Sequence, residues 1–140
     1  LPGKMRLSKE AYYAVQPIYY PGFTFAGFAE PFGILLTILL LFVTPLGTVN
    51  FWLTLVALAA LIAVQAVYWL FTHPINKFWH KDEKLSRAGS GFFSFAANAA
   101  QSRPVSWTEL RDRWEYSHVA RAALAVAALV LLAIAITMGT

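Results

Sequence analysis

Apolar residues run along this chain in three long stretches, and the charges lie between them. Pro31 to Asn76 contains no Asp, Glu, Lys or Arg, and neither does Ala122 to Thr140. A helix that crosses the hydrocarbon core of a bilayer needs about 20 mostly apolar residues. Three windows meet that need: about residues 26–45, 51–72 and 118–138. Period-two alternation is absent, and lipid requires backbone groups to be satisfied internally, so all three read as helices. Pro45-Leu46-Gly47-Thr48-Val49-Asn50 joins the first two spans, and its Pro, Gly and Asn mark a tight turn. The expected fold class is therefore all-α, an integral membrane bundle of three transmembrane helices in one membrane domain.

Two helices are expected to project beyond the bilayer. Ser106-Trp107-Thr108-Glu109 has the form of a capping box, which satisfies early backbone donors. No Pro or Gly follows until Gly139. The third helix then runs for about 33 residues, or about 50 Å, against a hydrocarbon core of about 30 Å. Ser8-Lys9-Glu10 reads as another helix start, within a basic and aromatic interfacial segment over residues 1–25. Pro17, Pro21 and Pro31 are expected to kink or break the helix that follows. Tyr12, Tyr13, Tyr19, Tyr20 and Phe23 suit an interfacial aromatic belt. Residues 73–117 are read as a loop followed by a helix start, with a Gly/Ser-rich and then aromatic piece from Arg87 to Asn98.

Charge sets the expected orientation. The 11 Lys and Arg outnumber the 7 Asp and Glu. Lys4, Arg6 and Lys9 precede the first span. Lys77, Lys81, Lys84, Arg87, Arg103, Arg111 and Arg113 lie between the second and third spans. The short turn and the C-terminus carry no basic residue. Positive loops stay cytoplasmic, so the N-terminal segment and the long loop are expected there, with the C-terminus opposite. A bacterial inner membrane is the expected location.

Composition narrows function. With 59% hydrophobic and 13% charged residues, a chain this short cannot bury its apolar stretches as a soluble domain. A soluble enzyme, a disordered tail and a nucleic-acid-binding module are excluded. The absence of cysteine removes thiol catalysis, thiolate metal sites and disulfides.

Polar groups inside a membrane are expensive and mark functional sites by default. Glu30, Gln65, Thr72, His73, Asn76, Trp114, His118 and Arg121 are expected within about 12 Å of one membrane face at 1.5 Å per residue. Nothing comparable stands near the other face. This predicts a polar pocket open to the cytoplasmic side. Glu30, Gln65 and Trp114 are candidate ligand-binding groups; His118, Arg121, His73 and Asn76 are candidates for catalysis. Trp114, His118 and Arg121 share a helix face by their spacing, and so do His73, Asn76, Lys77 and His80. Arg121 is the natural ion-pair partner of Glu30 because it lies at a similar depth.

The ligand count argues against a metal site. Glu115 and His118 form one Glu-x-x-His element, but a di-iron bundle needs two, plus two further carboxylates. Three histidines, His73, His80 and His118, suffice in number for zinc or copper but more simply serve as interfacial hydrogen-bonding groups. No metal is assigned, and the residues name no cofactor.

Some of these residues form a familiar pattern. His73-Pro74-Ile75-Asn76 follows directly on a span. About 40 residues later, Arg113-Trp114-Glu115-Tyr116-Ser117-His118-Val119-Ala120-Arg121 leads into an Ala/Leu/Val span. The chain resembles the anthrone-oxygenase-like family of small four-helix membrane proteins. Pro74 and Asn76 match its Pro-x-Asn element, and Trp114, His118 and Arg121 match its Trp, Asn/His, Arg element. Leu7 to Glu10 and the Pro-containing span resemble its second helix. The resemblance covers about residues 7–136; the family's first helix has no counterpart in it, which implies either a further helix ahead of this chain or a shortened relative. In a minority of members it implies cofactor-free oxygenation of a polycyclic aromatic, with the ligand near Gln65, His73, Asn76, His118 and Arg121.

Two roles follow as expectations. The first is an accessory subunit of a larger membrane complex, energy-converting or photosynthetic, because the Ala-rich third span suits lateral packing between helices. The second is a stand-alone membrane oxygenase, or a protein binding an aromatic, pigment or quinone in the polar pocket. The expected partners are the lipid bilayer, other membrane subunits and such a ligand. A transporter is the weakest reading, since no inverted repeat is present.

Overall fold

The computed structural model describes residues 2–79 and 106–138, apart from the side chains of residues 20, 21, 24, 77 and 78. Four helices and two short tighter or wider turns account for nearly all of it, and the described residues include no strand. Three helices are long and apolar enough to cross a membrane. The protein is an all-α integral membrane protein.

A 3₁₀ turn at Lys4–Arg6 leads into α1 (Lys9–Val43). Ser8 starts α1 by accepting a hydrogen bond from the Ala11 amide at 3.3 Å, the usual work of an N-cap hydroxyl. The helix then continues for 35 residues through Pro17, Pro21 and Pro31. The expected break does not occur. A proline removes one hydrogen bond, and membrane helices tolerate the loss because neighbouring groups re-satisfy the backbone. The membrane-length part of α1 is Phe25–Val43.

The turn after α1 depends on one glycine. Gly47 has φ +79°, a left-handed conformation that costs a side-chain-bearing residue roughly 1–2 kcal/mol. Thr48 closes the turn by donating to the Pro45 carbonyl at 2.8 Å. The same hydroxyl accepts from the Phe51 amide at 3.2 Å and starts α2 (Val49–Val67).

The second span does not end at Val67. It passes through a π-helical turn, Tyr68–Thr72, into α3 (His73–Trp79). The His73 amide bonds the Tyr68 carbonyl five residues back. Pro74 has no N–H, so the Leu70 carbonyl four residues before it loses its regular donor. Arg113 of α4 supplies one instead, donating from Nη2 to Leu70 O at 3.0 Å. α4 (Trp107–Thr137) begins where Ser106 accepts from the Glu109 amide at 3.2 Å.

α4 lies along α2, which also carries α1. Buried positions on the facing helices include the small residues Ala57, Ala128 and Ala135, together with Thr54 and Val64. Small side chains let helix backbones approach closely where lipid offers no hydrophobic drive between helices. The outer faces present Leu35, Leu39, Phe42, Leu129 and Ile136, as lipid requires. At the end carrying Ser8 and Ser106, a small aromatic core forms from Tyr12, Ile75, Trp79 and Trp114, with Leu7, Tyr13, Trp107 and Leu110 against it. Tyr12 meets Trp79 edge to face at 5.2 Å. His80, Lys81, Lys84, Arg87, Arg103 and the Gly/Ser-rich piece fall outside the described residues.

Candidate functional site

Three polar side chains meet inside the span. Glu30 comes from α1, Gln65 from α2 and Arg121 from α4. Gln65 Nε2 donates to Glu30 Oε2 at 2.7 Å. Arg121 pairs with the other carboxylate oxygen, Oε1. The Arg121 guanidinium also lies over the Tyr68 ring, 4.9 Å from its centroid. Glu30 is 13 residues from the end of α1 at Val43, about 20 Å at 1.5 Å per residue. Gln65 is 16 residues from Val49, and Arg121 is 16 from Thr137, about 24 Å each. With a hydrocarbon core of about 30 Å, all three sit inside it, toward the end that carries Ser8 and Ser106.

A second polar layer sits one to two turns nearer that end. Trp114 Nε1 donates to Asn76 Oδ1 at 2.8 Å. Ser117 gives its only hydroxyl proton to the Trp114 carbonyl at 2.7 Å. Thr72 must therefore donate in the 2.8 Å bond between Thr72 and Ser117. His118 Nδ1 lies 2.9 Å from the same Trp114 carbonyl. A carbonyl oxygen can only accept, so Nδ1 carries the proton in the neutral ring. The lone pair is then on Nε2, which has no hydrogen-bond donor among the described residues. Trp114 and Phe23 flank the imidazole, with centroids 4.1 and 5.0 Å away.

A third polar cluster lies toward the N-terminal ends of α1 and α4. The buried Glu115 accepts from the Tyr12 hydroxyl at 2.8 Å and pairs with Lys4 at 2.5 Å. The Lys4 ammonium sits 4.5 Å from the Tyr19 centroid and 4.6 Å from that of Trp114. Burial, and then the hydrogen bond and negative charge of Glu115, hold the Tyr12 phenol well above its ordinary value of 10.0. Burial alone raises Tyr13.

Between the polar layers is a cavity of about 290 Å³, just below the roughly 300–1,000 Å³ usual for small-molecule sites. Its polar wall includes Gln16, Glu30, Gln65, Asn76, His118 and Arg121; its aromatic wall is Phe23, Tyr68, Trp69 and Trp114. Six of the seven site candidates read from the sequence thus meet around one space. His73 does not join them. It is 1% exposed and stacks on Trp69 at 4.8 Å, a packed ring behind the wall. Among the described residues no three His, Asp or Glu side chains are grouped to hold a metal.

The match to a known family agrees with this geometry. The family model for anthrone oxygenase covers residues 22–131. The chain belongs to the anthrone oxygenase family. No curated protein and no solved structure matches it. The matched stretch contains every one of the site candidates read from the sequence, and the Trp114, His118, Arg121 element of the resemblance faces the cavity.

Further residues of this anthrone oxygenase family member line the cavity. Gln16 and Phe23 precede Glu30 by fourteen and seven residues, close to whole turns on one helix face. That regularity was hidden by the expectation that the prolines break α1. Trp69, whose place near the end of the second span suits an interfacial anchor, lines the cavity together with its neighbour Tyr68. Its chemical assets are a basic nitrogen at His118, an Arg121 cation paired with Glu30, an amide at Gln65, and flat aromatic faces.

Proposed function

We propose that this chain binds a planar polycyclic aromatic ketone or quinone in the cavity and oxygenates an anthrone-type substrate with molecular oxygen. The observation that supports this most is His118 Nε2. It is a base that no donor among the described residues engages, between two aromatic rings, in a cavity that also holds the Arg121 cation. An anthrone is a flat three-ring ketone with one acidic methylene. Its rings suit the aromatic wall of Phe23, Tyr68, Trp69 and Trp114. His118 Nε2 removes the methylene proton, and the charge passes through the rings to the ketone oxygen, where Arg121 and Gln65 stabilise it by charge and hydrogen bonding. Molecular oxygen is the oxidant. The methylene carbon gains one oxygen as a carbonyl, and the two hydrogens leave with the other oxygen as water. Each substrate thus consumes one O₂, and the balance closes without a second reductant.

An accessory-subunit role would leave this cavity without a task, and the exposed apolar faces of α1 and α4 are what lipid alone demands. The basic residues at the Ser8 and Ser106 end support a cytoplasmic placement of that end. The test is oxygen uptake by the protein in nanodiscs supplied with anthrone, corrected for spontaneous oxidation. Uptake and quinone absorbance rise together at one O₂ per quinone. His118→Ala lowers the catalysed rate by about 10²–10⁴-fold, the range for loss of a general base, with helicity unchanged. A catalysed rate that survives His118→Ala refutes the role of the base. The absence of any catalysed rate in the wild type refutes the oxygenase reading.

A further inference from the structure

One buried imidazole supports two wall residues of the cavity. His73 is fully buried and does not itself line the cavity. Its ring stacks on the Trp69 indole at 4.8 Å, with 22° between the planes. It also meets the Tyr68 ring edge-on, at 5.6 Å and 80°. Tyr68 and Trp69 meet each other edge-on at 5.3 Å, so the three rings form one packed set. Tyr68 in turn faces the Arg121 guanidinium, which pairs with Glu30. The π-helical turn makes the set possible. Residues four apart are neighbours on a regular helix, so Trp69 and His73 meet in either geometry. Residues five apart are not, because at 3.6 residues per turn they point about 140° away from each other. Tyr68 and His73 are five apart. The turn Tyr68–Thr72, closed by the bond from the His73 amide to the Tyr68 carbonyl, brings their rings into contact. Single π-turns inside α-helices are frequent at functional sites.

Resting on the ligand class proposed above, we infer that Trp69 is the platform on which the flat ligand stacks, and that His73 is its positioning residue. His73 covers one face of the indole from outside the cavity, which leaves the other face for the ligand. An indole is electron-rich and a quinone ring is electron-poor. Their faces attract in an offset stack, with centroids about 4.5–7 Å apart as in other aromatic pairs. The imidazole fixes the plane of the indole without taking any of the cavity's volume. Because it also braces Tyr68, it steadies the ring that faces the Arg121 cation. One residue outside the cavity thus aligns the surface that receives the rings with the charge that receives the oxygen function.

The experiment uses the whole chain in nanodiscs, with 9,10-anthraquinone as the probe. Saturable quenching of tryptophan fluorescence gives Kd, since Trp69 and Trp114 line the cavity. A difference absorption beyond the quinone's own bands reports an indole stacked on the quinone. The wild type gives both signals with one midpoint. Trp69→Leu abolishes the long-wavelength band and raises Kd by about tenfold, the upper range for one aromatic stack. His73→Leu keeps helicity but weakens the band and raises Kd by about three- to tenfold. His73→Phe puts a ring back behind the indole, and returns the band and Kd to within about twofold of wild type. The platform is overturned if the band survives Trp69→Leu at full strength, or if the wild type binds without it. The positioning role is overturned if folded His73→Leu keeps the wild-type band and Kd, or if folded His73→Phe loses them; the second outcome decides alone should His73→Leu not fold. If neither His73 variant folds, His73 serves the fold and the positioning role is overturned. Binding with the band but without catalysed oxygen uptake keeps the platform and refutes the oxygenase reading. If the wild type shows no saturable quenching, the cavity is not a site for this ligand class, and the proposed function falls together with the platform.

Discussion

Glu30 and Arg121 form an ion pair inside the span, and separating them has a calculable cost. The Glu30 and Arg121 side chains are 28% and 13% exposed. Removing one partner of a fully buried pair costs about 3–5 kcal/mol, because an uncompensated charge stays behind. Partial exposure lowers that figure here. So does the remaining support, since Gln65 still donates to Glu30 and Tyr68 still faces Arg121. Glu30→Gln and Arg121→Met should each cost about 2–3 kcal/mol. The double variant has no stranded charge. It should lose about as much as either single change, which leaves a coupling of about 2 kcal/mol. At 1.4 kcal/mol per decade, that coupling is roughly a thirtyfold difference in the unfolding equilibrium. Titration with SDS in mixed micelles, followed by far-UV circular dichroism, measures all four stabilities in one cycle. If the two losses add to within about 0.5 kcal/mol, the pair is not coupled and the bridge between α1 and α4 is refuted.

Three further outcomes are expected. Gly47→Ala forces a side chain into the left-handed region at φ +79° and should lower stability by about 1–2 kcal/mol, whereas Leu46→Ala in the same turn should cost little; chemical denaturation of both separates the two. Tyr12→Phe strips a donor from the buried Glu115 and should cost about 1–3 kcal/mol. Because the folded protein holds the Tyr12 phenol above its ordinary 10.0, this contribution is complete at neutral pH and is lost as pH rises above that value. An alkaline unfolding curve should therefore start earlier in the wild type than its neutral-pH advantage over Tyr12→Phe would suggest. Trp114→Phe removes the Nε1 donor to Asn76 and one cavity wall. It should weaken anthraquinone quenching several-fold beyond the loss of one fluorophore, read as a shift in the midpoint of the titration.

Much of this architecture is legible in the amino-acid order because a bilayer leaves few choices. Long uncharged stretches must be helices, and a lone Glu and a lone Arg at matching depths must find one another, as Glu30 and Arg121 do. The cap at Ser106 is equally local, since its hydroxyl and the Glu109 amide are three residues apart. The features that escaped depend on neighbours. α1 runs through three prolines, which a membrane bundle tolerates where neighbouring groups re-satisfy the backbone, a remedy that no proline announces. Pro74 shows the arrangement: the carbonyl it frees on Leu70 is taken by Arg113, 43 residues away. His73 shares a depth with the cavity residues yet packs behind the wall on Trp69, and depth alone does not specify direction. Gln16 stood in an aromatic stretch that suits an interface, so its place on the face of Glu30 appears only once the helix is continuous.

The ion pair also constrains how the protein is made. Glu30 and Arg121 are 91 residues apart in the chain. At about 5–20 residues per second, Arg121 follows Glu30 out of the ribosome by roughly 5–18 s. Gln65, only 35 residues downstream, arrives far earlier. During that interval the hairpin of α1 and α2 holds a carboxyl group whose cation has not been synthesised. A neutral amide donor is its first companion. The arrival of α4 then brings Arg121 to the other carboxylate oxygen. Completion of the bundle is thereby tied to the last partner of a single side chain.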